Sequence, residues 1–126
     1  MNLDAGVADQ VTAALRAAGA RFALVFGSTA RGETHAQSDL DVAAWWPSNP
    51  PSAWEVDVPA GVDLVVLHRL PLELAGRIAL EGVVLFDDEP PARVHWVADT
   101  RKIWLDERWR FEAAQREYLE TQARGR

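Results

Sequence analysis

Apolar residues recur at helical spacing from the start of the chain: Val7, Val11, Ala14, Leu15 and Ala18 share one side of a helix that Gly19 closes. Residues 21–26, "RFALVF", form a short apolar run bounded by glycines, the mark of a buried strand. A polar segment with two glycines, "GSTARGETHAQS", follows, and "DLDVAAWW" (39–46) reads as a second strand stopped by "PSNPPS". "WEVDV" (54–58) alternates like a further strand and ends in a turn at 59–61. "VDLVVL" (62–67) is a third strong strand. A helix over 71–81 begins with proline and has Gly82 just past its end. "VVLF" then gives a last short strand, and a long helical pattern runs from about 92 to 123. The order predicts an α/β (α+β) fold: a small mixed sheet with helices on one face and a long C-terminal helix. The chain reads as a single domain, 1–126, with its core at about 5–88 and a helical segment at about 90–124.

The polar segment draws attention because strand alternation puts Asp39 and Asp41 on one face, with Leu40 and Val42 on the other. Two carboxylates about 7 Å apart repel each other unless a cation lies between them or water screens both. Oxygen ligands on a rigid strand suit Mg²⁺. Asp63 opens the otherwise apolar third strand, and if that strand lies beside the second it completes a three-carboxylate cluster. Such a cluster can hold two metal ions for in-line displacement at phosphorus. Gly27 lets the backbone turn sharply, and Ser28 opens a short helix whose free N–H groups suit an anion. Arg31 and Gly32 lie in the same loop. The parts amount to a nucleoside triphosphate site without a Walker loop.

Composition narrows the chemistry further. The 126 residues carry 13 Lys and Arg against 19 Asp and Glu, a net charge of −6, so the counterion release that drives non-specific nucleic-acid binding is weak. Long RNA or DNA is not expected as the main partner, and a cation or a basic protein surface suits the charge better. There is no cysteine, which removes disulfides, zinc thiolates and cysteine catalysis. No apolar run approaches the 18 residues of a membrane span and the N-terminus has no export signal, so a cytoplasmic protein is expected. His35, His68 and His95 show no ligand spacing and read as structural. Trp45 and Trp46, at a strand end, read first as core or interface residues, and Trp45, which shares the aspartate face, is a lesser candidate neighbour for a nucleotide. Trp96, Trp104, Trp109, Phe111 and Tyr118 cannot all reach one small core from one helix, so some are expected to meet another chain.

Gly27-Ser28, the ten residues that follow, Asp39-Leu40-Asp41 and the later Asp63 together resemble the nucleotidyltransferases with a DNA-polymerase-β-like fold. The stretches 27–32 and 38–42 are most similar to the minimal nucleotidyltransferase (MNT) antitoxins paired with HEPN toxins. The resemblance covers roughly the first two-thirds of the chain. It implies that Asp39, Asp41 and Asp63 bind two Mg²⁺ ions and that Asp63 helps deprotonate an acceptor hydroxyl. It further implies that Gly27 and Ser28, with Arg31 and Ser38, hold the nucleotide. The implied activity is AMP transfer from ATP to a hydroxyl, a tyrosine of a HEPN ribonuclease toxin, which neutralises it. The chain has no room for an acceptor-binding domain, so the acceptor comes from outside. Two other readings stand beside this one: an antitoxin that inhibits by complex formation alone, and a stand-alone transferase for a small hydroxylated substrate such as an aminoglycoside.

Overall fold

The computed structural model describes residues 3–32 and 39–125. Helix α1 (Ala5–Ala17) starts at Asp4, whose carboxylate accepts from the N–H groups of Gly6 and Val7 at 2.8 and 3.1 Å. It ends where Gly19 takes φ +95°, and strand β1 (Phe22–Phe26) follows, almost wholly buried. A four-residue helix, α2 (Gly27–Ala30), caps β1. Strand β2 (Leu40–Trp45) leads through a 3₁₀ turn at Ala53–Glu55 to β3 (Val62–Val66). Helix α3 (Leu72–Glu81), β4 (Val83–Asp87) and the 35-residue α4 (Pro90–Arg124) complete the chain.

The sheet is mixed, in the order β3-β2-β1-β4, with β2 and β3 parallel and the other pairs antiparallel. Alternation along the strands sorts the core into two layers. Val25, Leu40, Val42, Ala44 and Leu64 meet Val11 and Leu15 of α1 on one face. Phe22, Leu24 and Ala43 meet Ile78 of α3 on the other, with Trp96 and Val97 of α4 packed against them. Helices therefore cover both faces rather than one. A sheet this small with apolar residues pointing both ways must bury each side against something.

A second expectation also fails. Residues 54–58 are not a strand: Trp54 is 85% exposed within the 3₁₀ turn, while Val56 is buried. The alternation there is real, but β3 takes the place beside β2 and prolines at 50, 51 and 59 confine the segment to a short loop. None of the described helices is long and apolar enough to cross a membrane.

Candidate active site

The sheet register brings the conspicuous residues of the sequence together. Asp41 lies opposite Phe26 on β1 and opposite Asp63 on β3. Adjacent strands run about 4.8 Å apart, so the two carboxylates are immediate neighbours. The Leu40 N–H donates to the Gly61 carbonyl at 2.8 Å, which fixes the start of β2 against the start of β3. Asp39 stands just ahead of β2 on the Asp41 side, while Leu40 and Val42 point into the α1 layer. Asp39 and Asp63 are both exposed, Asp41 half-buried.

Gly27 turns the chain directly after β1 with φ +74°, a region that side chains rarely enter. A Cβ on Gly27 would lie 2.5 Å from Oδ2 of Asp41. Only glycine lets the backbone and this carboxylate approach so closely. Burial is the main cause that lifts the Asp41 pKa above the usual carboxylate value, and the charges of Asp63 and then Asp39 add to it. The three carboxyl groups thus feel one another. Their side chains do not converge tightly, since no group of three among the described residues is close enough to hold an ion as it stands. Asp39 and Asp63 make no hydrogen bond or ion pair among the described residues.

Beside Asp41 opens a cleft of about 390 Å³. Phe26, Gly27, Ser28, Arg31 and Asp41 form one side. Leu74, Arg77, Ile78 and Glu81 of α3 form the other. Asp39 and Asp63 stand outside this lining, further along the edge of the sheet. Ser38 and His35 lie outside the described residues. The α3 wall was not apparent from the sequence. Its four residues do fall at i, i+3, i+4 and i+7, but two charges on an amphipathic helix read as a solvated face until the fold turns them toward the cleft.

The remaining candidates have structural duties. Trp45 lies at the far end of β2 from Asp41, stacked on Phe22 with ring centroids 5.3 Å apart, and does not line the cleft. Trp46 is buried in the α1 layer and donates from Nε1 to the Ala18 carbonyl at 3.0 Å. His68 accepts from the Trp46 N–H through Nε2 at 3.2 Å, and burial, ahead of the neighbouring Arg69, lowers its pKa. His95 pairs with Asp99 along α4 at 3.0 Å.

The nucleotidyltransferase domain family matches residues 16–119. That span reaches well into α4, past the limit of the motif-based resemblance. Among solved structures, a chain of a toxin–antitoxin crystal structure with AMP-PNP superposes with TM-score 0.68, at 19% identity over 89% of this chain and 98% of that one. A chain of the toxin–antitoxin pair MntA–HepT gives TM-score 0.65, at 16% identity over 92% and 99%. A third likeness is to a chain of the tri-AMPylated Shewanella oneidensis HEPN toxin in complex with MNT antitoxin, with TM-score 0.63 at 16% identity over 90% and 96%. At such identities the likeness establishes the fold. No curated protein sequence matches the chain.

Proposed function

Since the chain belongs to the nucleotidyltransferase domain family, we propose that it transfers AMP from ATP to a hydroxyl of a HEPN-type toxin and acts as that toxin's antitoxin. The observation that carries this reading is the position of Asp41. One residue shares strand register with Asp63, abuts Gly27 and lines the cleft with Ser28. A turn glycine and a solvated acidic loop have no reason to meet there.

The donors suit a hard divalent cation, being carboxylate oxygens on strand ends with no thiolate or imidazole among them. Asp39, Asp41 and Asp63 would hold Mg²⁺, two ions if the full cluster is used. Bound there, the metal would offset charge on the triphosphate and on the departing pyrophosphate. Gly27 permits the backbone to approach the phosphates, and Ser28 and the guanidinium of Arg31 supply donors to their oxygens. The acceptor oxygen attacks the α-phosphorus as the bond to pyrophosphate breaks, and the hydroxyl proton passes to the Asp63 carboxylate. Asp63 suits that duty because it is exposed and stands in strand register with Asp41, reachable by a hydroxyl carried on another protein.

The structural relatives support a HEPN protein as the acceptor, as does the acidic balance of the chain, which disfavours a nucleic acid in that place. The test is intact mass of a co-purifying HEPN partner after incubation with this chain, ATP and Mg²⁺, with Asp39→Asn and Asp41→Asn as controls. A gain of one or more AMP units with the native chain alone is expected. A stable complex without any mass change would mean inhibition by contact and would overturn transfer.

A further inference from the structure

The α3 side of the cleft holds a cation that none of the roles above employs. Leu74 and Ile78 turn toward the sheet and pack into its second layer, which leaves Arg77 and Glu81 to face the opening. Arg77 is exposed and makes no hydrogen bond or ion pair among the described residues. Glu81 lies at i+4, a spacing at which such pairs form readily, yet the two remain apart. By contrast, Arg16, Arg69, Arg93 and Arg101, which also lie against the body of the protein, each hold a partner. The mount for Arg77 is rigid. The preceding Gly76 sits so close to the indole of Trp104 that any side chain there would collide with it. One turn on, Arg101 of α4 donates from Nε to the Ala79 carbonyl at 2.7 Å.

We propose that Arg77 binds the polyphosphate tail of the nucleotide from the side of the cleft opposite Ser28, and so makes the site select triphosphates. This rests on the nucleotide-transfer reading above and extends it to a residue outside the Gly-Ser and Asp-x-Asp motifs. A polyanion entering an acidic protein must first overcome the repulsion of Asp41 and Glu81 within the cleft itself. Arg31 supplies one guanidinium, and Arg77 supplies the other across the gap. A planar guanidinium matches two phosphate oxygens at once, and an exposed one gives up little hydration to do so. Glu81, further along the same stripe, repels phosphate and directs the tail toward the Arg77 end.

The test is calorimetric titration of ATP, ADP, AMP and adenosine, with Mg²⁺ present, into the native chain, Arg77→Ala and Arg77→Lys. We expect Arg77→Ala to weaken ATP binding roughly 10- to 100-fold, in line with loss of a charged hydrogen bond. Adenosine and AMP affinities should stay unchanged, and Arg77→Lys should recover part of the loss as a point charge without the fork. Because Arg77 is exposed, the melting temperature of both variants should match the native chain, so a folding defect is visible separately. Equal ATP affinity in the native chain and Arg77→Ala overturns the inference alone. So does a parallel loss for ATP and adenosine. A native chain that binds no nucleotide overturns the transfer reading and this inference with it.

Discussion

Asp41 holds several conflicting demands at one position. Its neighbours in register are a hydrophobic ring and a second carboxylate, and the backbone of Gly27 shuts off part of its water. Each of these disfavours its charge, which is why its pKa stands above the usual value. A carboxylate with a raised folded pKa costs stability once ionised. In the pH range above the unfolded value of about 3.9 the folded state binds more protons than the unfolded one, so stability falls as pH rises through the raised pKa. Asp41→Asn should therefore melt higher than the native chain at pH 7, with the gap narrowing toward pH 4 as the native carboxyl takes up its proton. Mg²⁺ should raise the native melting temperature and leave Asp41→Asn unmoved. Thermal melts at the two pH values, with and without Mg²⁺, read all of this, and a lower melting temperature for Asp41→Asn at pH 7 would sink the argument. A site that costs stability without its ligand is what binding energy is expected to repair.

At the scale of elements, α3 does two jobs because its two sides meet different things. One stripe lines the cleft while Gly76 lets Trp104 of α4 lie against the helix backbone. On an exposed helix Gly→Ala gains about 0.5–1 kcal/mol. Here the added methyl meets a ring held by its own helix, and overpacking costs roughly 1–3 kcal/mol. Gly76→Ala should thus destabilise, measured by chemical denaturation, and a stabilised variant would show that α4 is loosely seated. This close approach was invisible in the sequence, where Gly76 is one small residue in an amphipathic helix. Period-two alternation did reveal which face Asp39 and Asp41 share, because Leu40 and Val42 had to be inside. Residues 54–58 carry the same alternation and form no strand, since pairing depends on which neighbour claims the sheet edge. Gly82 does follow α3, but at φ −64° it is no left-handed cap. A Cβ there would lie 2.5 Å from the carbonyl oxygen of Ile78, in the last turn of α3 itself, and 3.4 Å from Leu24 Cβ on β1. Strand order and Arg77 were hidden for the same reason. Both depend on contacts between segments far apart in the chain.

Over the whole molecule, α4 is out of proportion to the body it packs on. Its 35 residues run about 52 Å at 1.5 Å per residue. Ala92, Trp96 and Val97 are seated against the sheet layer and Trp104 against α3. Trp109, Phe111, Tyr118 and Leu119 are 60–68% exposed. Helical stability in that outer part rests on pairs within the helix, Arg108 with Glu112 and Arg124 with Glu120, each weak in water. Aromatic side chains interspersed with arginines and carrying no packing duty are the composition of an interface. Removing residues 114–126 takes away Tyr118 and Leu119 and nothing that the body buries, so the stability of the rest should change by no more than about 0.5 kcal/mol. The cleft proposed to take the nucleotide lies between β1, β2 and α3, and ATP affinity should likewise be unaffected. Binding of the proposed HEPN partner, followed by size-exclusion chromatography of the mixture, should be weakened or lost. A truncated chain that still co-elutes with its partner would move the docking surface to the body, with exposed Trp54 and the β3 edge the next place to look.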